Sequence, residues 1–160
     1  MRIVPYEPRH RDGFIRLNRA WIERSFRLEE NDLELFGHLD ERVSDGALVL
    51  IGEEDGEVVA TCMASPLGDG VWELEKLTTA ENLRGRGIGT AMLRACLDGI
   101  RGRGGIRVVL LTNSALEGAI RMYRREGFVD VPVDPSWGYD RVDVQMELTL
   151  QDASSGRRPS

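Results

Sequence analysis

Three glycines at alternate positions, Gly85, Gly87 and Gly89, are interleaved with Arg84, Arg86 and Ile88 and lead through Thr90 into an apolar helical pattern. Glycine lets backbone N–H groups approach an anion closely, and a helix N-terminus adds unpaired N–H groups and the positive end of its dipole. A pyrophosphate fits such a cradle, with Arg84 and Arg86 adding charge-assisted contacts to its oxygens. Two better-known phosphate loops are excluded by spacing: G-x-x-x-x-G-K-[ST] is absent, and these glycines do not meet G-x-G-x-x-G. The plainer alternative is a tight turn carrying two solvated arginines.

Upstream of the loop, Glu73 and Glu75 stand two apart in a β-rich run and so project from one face unless a bulge separates them. Either can exchange a proton with a bound ligand; as ordinary residues they are charges on a half-exposed strand. Downstream, Tyr123 lies on the apolar stripe of a helical segment, where a core tyrosine is the plain reading. Asn113 follows a short apolar run and reads either as a ligand contact at a strand end or as a turn cap.

The elements that must position these groups are legible from periodicity. Arg2–Tyr6 is predicted as a first strand, followed by a helix between Pro8 and Phe26 on Phe14, Leu17 and Trp21, and a second helix over Asn31–Val43. Leu48–Ile51 and Val58–Met63 read as a hairpin through Asp55-Gly56, and Gly68-Asp69-Gly70 turns the chain into a further strand, Val71–Thr79. Ile88, Ala91, Met92, Ala95 and Cys96 mark a helix ending in Gly102–Gly105. Val108–Leu111 is a strand, Leu116–Tyr123 a helix stopped at Gly127, and Phe128–Val133 and Val142–Leu150 two last strands. The expected fold is α/β (α+β): a mixed, mostly antiparallel sheet of about seven strands with helices on both faces. Residues 1–150 form a single domain, and 151–160 read as a flexible polar tail.

Composition closes off several classes. The chain is 41% hydrophobic and 30% charged, with a net charge of −6, which disfavours a nucleic-acid surface and suits a cationic partner. No apolar run reaches the roughly 20 residues needed to span a bilayer, and the N-terminus lacks a signal-peptide core, so a cytoplasmic protein is expected. Cys62 and Cys96 sit in apolar patterns as free buried thiols. With only His10 and His38 beside them, no metal site is expected.

Arg84-Gly85-Arg86-Gly87-Ile88-Gly89 resembles the acetyl-CoA loop of GNAT acetyltransferases, written Q/R-x-x-G-x-G/A, and Ala119 to Phe128 is similar to that family's A-x-x-x-Y-x-x-x-G-F segment. A narrower likeness, to a bacterial subgroup of undefined substrate, is carried by Asn18, Trp21 and Ile22; Phe26, Glu29 and Asp32; Glu73, Leu74 and Lys76; Thr112 to Leu116; and Tyr139, Arg141 and Met146. The resemblance implies an acyl-CoA N-acyltransferase fold and an N-acetyltransferase that moves acetyl from acetyl-CoA to a primary amine by direct attack through a tetrahedral intermediate. It places Leu77, Thr78 and Thr79 beside the cofactor on a bulged strand, with the Leu77 N–H facing the thioester oxygen. It places Arg84 to Thr90 on the pyrophosphate, Asn113 near the pantetheine arm, and Tyr123 as the acid for the thiolate.

Deprotonating an ammonium of pKa about 10 with a carboxylate near 4.3 requires a water relay or a pKa raised by burial. Glu73 is preferred to Glu75 as base because it matches the subgroup motif, and Lys76 is expected to pair with it. Trp21, Phe26, Glu29, Asp32, Tyr139 and Arg141 are candidates for the acceptor pocket: an apolar wall, anionic groups for an amine, and a cation for a carboxylate. That set suits a small molecule such as an amino acid. A protein lysine or N-terminal acetyltransferase and a non-catalytic acyl-CoA-binding regulator are the alternatives. Homodimers are common in the family, and nothing in this sequence fixes one.

Overall fold

The computed structural model describes residues 1–150, and the tail expected over 151–160 lies outside them. The elements run β1 (Arg2–Pro5), α1 (Arg11–Ser25), α2 (Glu30–Gly37), α3 (Leu39–Ser44), β2 (Leu48–Glu54), β3 (Glu57–Gly68), β4 (Val71–Thr79), α4 (Ile88–Gly102), β5 (Arg107–Thr112), α5 (Glu117–Arg125), β6 (Val129–Val131) and β7 (Val144–Thr149). The seven strands form one sheet in the order β1-β2-β3-β4-β5-β7-β6. Every pairing is antiparallel except β4 with β5. The mixed, mostly antiparallel sheet expected from the sequence is the one observed.

Asp55-Gly56 and Asp69-Gly70 each supply two consecutive residues at positive φ, the geometry that closes a two-residue hairpin without splaying its strands. The side-chain alternation of β3 then builds two cores. Ala60, Cys62 and Ala64 face α4 and α5, while Met63 faces α1, α2 and α3. Both cysteines are buried free thiols. On α1 the buried positions Phe14, Asn18 and Ile22 are four apart, so one stripe meets the sheet.

The helix expected over Asn31–Val43 is two helices. The chain breaks at His38 (φ −127, ψ 24), yet Leu35 and Leu39 both remain buried, so the apolar spacing continued across a break it did not reveal. The middle strands are longer than expected. The last two, β6 and β7, are shorter than the runs Phe128–Val133 and Val142–Leu150.

Two irregularities in β4 open the molecule. Against β3, Glu75 pairs with Met63 and Thr78 with Thr61, so Cys62 alone faces both Lys76 and Leu77. That is a bulge, and Lys76 holds φ 54 there, a left-handed conformation that costs a non-glycine residue about 1–3 kcal/mol. Against β5, pairing stops at Leu74 and Leu110 although both strands continue. The sheet therefore parts between β4 and β5.

Asn18 ties α1 to the bulged region. Its amide nitrogen donates to the Phe14 carbonyl (3.0 Å) and to Thr61 Oγ1 (3.1 Å), and its oxygen accepts from Thr78 Oγ1 (2.7 Å). Asn18, Thr61 and Thr78 are all buried. Asn18→Ala strands the Thr78 hydroxyl and is expected to lower stability by about 2 kcal/mol, read from the urea midpoint at unchanged m-value. A loss under about 0.5 kcal/mol would show the network to be dispensable.

Candidate active site

A cleft of about 800 Å³ enters the parting of β4 and β5. At one end lies the loop before α4. Gly87 is the N-cap residue of α4 at φ 75, and Gly85 holds φ 82. An added Cβ at either would meet no atom within 4 Å, so the backbone conformation, rather than crowding, reserves these positions for glycine. The N–H groups opening α4 have no intrahelical partners. Arg84 lines the cleft; Arg86 is exposed and does not. Two arginines not expected from the sequence, Arg121 and Arg125 on α5, line it instead. Their four-residue spacing on the face that carries Gly118 is the signal that could have found them. A glycine cradle at a helix N-terminus with three arginines fits the polyanionic end of coenzyme A.

At the other end the cleft reaches both faces of the sheet. Glu73 and Glu75 pair across the strand with Ser65 and Met63, so they project toward α1–α3, whereas Tyr123 belongs to the core on the α4–α5 side. They share one cleft only because the strands part. The two carboxylates are in different electrostatic states. Glu75 lies 3.5 Å from Arg42 Nη2 and 3.9 Å from Lys76 Nζ. Glu73 has no ion pair among the described residues; burial and then the charge of Glu75 push it up to about 8 against the opposing pull of Lys76 and Arg42. Burial raises the Tyr123 phenol far above its usual range, so it is a neutral hydroxyl at physiological pH. Its ring packs edge-on against Phe128 at 5.8 Å.

Glu29, Asp32, Lys76 and Arg141 form one cluster. Arg141 donates to both Asp32 oxygens at 2.7 Å and to Glu29 at 3.1 Å, and Lys76 Nζ donates to Asp32 at 3.0 Å. Lys76 is thus paired with Asp32, not with Glu73. Asp32 has no exposed surface; burial alone would raise its carboxyl, but the Arg141 hydrogen bond and the Lys76 charge hold it at about 2. Glu29 and Asp32 also form the capping box of α2, which explains their three-residue spacing. Tyr139 lies over the Arg141 guanidinium at 4.6 Å and faces Lys76 at 5.7 Å. Asn113, for its part, donates to the Arg141 carbonyl at 2.7 Å and accepts from the Ala115 N–H at 2.8 Å.

A model of the acetyltransferase (GNAT) family matches residues 14–128. The chain belongs to that family. It is 35% identical over 83 residues to N-acetyltransferase 8 of Mus musculus and 31% identical over 117 residues to the probable N-acetyltransferase camello of Xenopus tropicalis. Those matches cover 49% and 72% of this chain but 37% and 47% of the relatives, so the chain spans less than half the length of either. Among solved structures, a GNAT-family acetyltransferase from Staphylococcus aureus Mu50 superposes with a TM-score of 0.86 at 14% identity, covering 94% of this chain and 99% of that one. This last likeness is one of fold. The enzyme class and the acetyl-CoA co-substrate expected from the loop are those of the GNAT family.

Of the site residues named from the sequence, the GNAT cleft brings together Trp21, Phe26, Glu73, Glu75, Leu77, Thr78, Thr79, Arg84, Gly85, Gly87, Ile88, Gly89, Thr90, Asn113, Tyr123, Tyr139 and Arg141. Arg86, Glu29 and Asp32 are not in its lining. The Thr78 hydroxyl is spent on Asn18, and Arg141 is spent on the two acids meant for the amine. Gly87→Val forces a β-branched residue to φ 75 at the α4 N-cap and is expected to weaken acetyl-CoA binding at least about tenfold by titration calorimetry. Wild-type affinity in that variant would remove the loop from the cofactor site.

Proposed function

We propose that this chain transfers the acetyl group of acetyl-CoA to the primary amine of a small cationic molecule. Glu73 acts as base and Tyr123 as acid. The observation that carries this is the divergence of two carboxylates two residues apart in one cleft. Glu75 has Arg42 and Lys76 beside it, while Glu73 has no ion pair among the described residues and is raised to about 8. Two acids in surroundings that differ in this way take different roles. A base near 8 is far better matched to an ammonium of about 10 than an ordinary carboxylate. Acetyl-CoA supplies the activated acetyl thioester. Arg84, Arg121, Arg125 and the N-terminus of α4 hold its phosphates, and Leu77 offers its N–H to the thioester oxygen. Tyr123, neutral and buried on the opposite face, supplies a proton to the departing thiolate.

The acceptor end favours a small molecule. The segment from Gly138 to Arg141, whose Tyr139 and Arg141 line the cleft, is fastened to the start of α2, with Asn31 donating to the Gly138 carbonyl at 3.2 Å and Glu29 accepting from the Asp140 N–H at 2.8 Å. An amino acid whose carboxylate is bound by Arg141 is disfavoured, because that guanidinium is already engaged by Asp32 and Glu29. A smaller pocket of about 170 Å³, lined by Asn31, Glu34, Arg42 and Trp137, shares Glu73, Glu75 and Tyr139 with the cleft. It gives the proton taken up at Glu73 an exit to water.

Thiol release from acetyl-CoA, measured across diamines, aminated sugars, amino acids and lysine peptides, tests this reading. Turnover greatest with small polycations is expected. Turnover of peptides alone would favour a protein acceptor, and binding of acetyl-CoA with no turnover would favour a regulator. Because the base must be ionised, kcat/KM should rise with pH and level off above about 8. Glu75→Gln removes the like charge and should move that rise to lower pH. Glu73→Gln should abolish it and lower kcat by about 10²-fold or more. Tyr123→Phe should lower kcat on the order of 10²-fold with little change in KM; an unchanged kcat removes it from the mechanism.

A further inference from the structure

The cluster of Glu29, Asp32, Lys76, Tyr139 and Arg141 joins three distant parts of the chain, and none of its cations is left for a ligand. What it does contact is the bulge. Among the described non-glycine residues only Asp55, Asp69 and Lys76 have positive φ, and the two aspartates sit in hairpin turns. Lys76 therefore occupies a position where glycine would be at ease and lysine is not. Two bonds hold it there. Its carbonyl accepts from Thr61 Oγ1 at 2.6 Å, and its Nζ donates to Asp32 at 3.0 Å. Asp32 is itself immobilised: its other oxygen accepts from the Glu29 N–H at 2.9 Å, and Arg141 grips both oxygens. The Lys76 side chain is 7% exposed and that of Asp32 0%, so the pair is not loosened by water. The next residue along β4 is Leu77, in the lining of the cleft.

We propose that Asp32 and Lys76 are positioning residues for acetyl transfer: their buried ion pair, braced by Arg141, fixes the β4 bulge so that the Leu77 N–H is held against the thioester carbonyl. The inference rests on the acetyl-CoA reading of the cleft. It also assigns a use to Arg141 in place of carboxylate binding. Because Arg141 belongs to the Gly138–Arg141 segment, one carboxylate anchors both that segment and the bulge.

The test needs no knowledge of the acceptor. A hydrogen bond to the thioester oxygen lowers the stretching frequency of its C=O, which isotope-edited infrared spectra of bound [1-13C]acetyl-CoA report directly. Wild-type protein is expected to show the lowered band. Asp32→Asn should lose most of that shift while its affinity for acetyl-CoA stays within about threefold, since the loop and α4 are untouched. Lys76→Met is the second variant, because it removes the ammonium while keeping the side-chain stem and the demand for φ 54, and Arg141 still neutralises Asp32 so that the protein should stay folded. It should lose the shift too. With the amine that turns over fastest, and above the pH rise assigned to Glu73, both variants should show kcat reduced by about 10²-fold at little-changed KM. A wild-type band position and kcat in Lys76→Met would overturn the proposal. So would an Asp32→Asn protein that melts lower but keeps the shifted band, because the cluster would then serve stability alone. If wild-type protein binds no acetyl-CoA, the reading of the cleft falls and the positioning role falls with it. If wild type binds acetyl-CoA with an unshifted band, the positioning role falls by itself.

Discussion

β4 cannot pair with both neighbours along its whole length, and most of the site follows from that. An extra residue, shared between Lys76 and Leu77 opposite Cys62, bends the strand away from β5, with which pairing ends at Leu74. The gap puts the α1–α3 face and the α4–α5 face of one sheet in touch. Without it Glu73 and Tyr123 would be separated by a wall of backbone. An extended ligand can thread this gap because the strand edges that line it are not consumed by each other.

Around the gap the protein buries several charged side chains. Taking ions out of water is costly, and an ion cluster is tolerable only if each member is satisfied. Asp32 meets that condition through Lys76, Arg141 and the start of α2. Glu73 does not, and so its proton is retained to about 8. One buried carboxylate is locked in its ionised form while a half-buried one nearby is poised to change form. The difference lies in partners rather than in residue type.

Local features were readable from the sequence and non-local ones were not. The Asp55-Gly56 turn, the stripe of α4 and the glycine loop each carry their signal within a few residues, and the structure has all three. The break at His38 left no trace, because Leu35 and Leu39 are buried on either side of it. The acceptor end was the hardest part. Glu29, Asp32, Tyr139 and Arg141 have residue types that suit a zwitterion, and only the tertiary arrangement reveals that the opposite charges are turned on one another. Arg121 and Arg125 were passed over because an arginine on an exposed helix face looks the same whether it meets solvent or a phosphate.

The bulge also shifts the phase of β4. A strand alternates its side chains with period two, so Glu73 and Glu75 share a face and Leu77 would be next. Thr78 takes that place instead, opposite Thr61 and bonded to Asn18, and odd-numbered positions give way to even ones midway along the strand. Removing a single residue at the bulge would restore unbroken alternation, and by any local rule the strand would look improved. Every residue after the acid pair would keep its face, so the pattern would show no loss; what would go is the extra residue opposite Cys62, and with it the point at which the strand leaves β5.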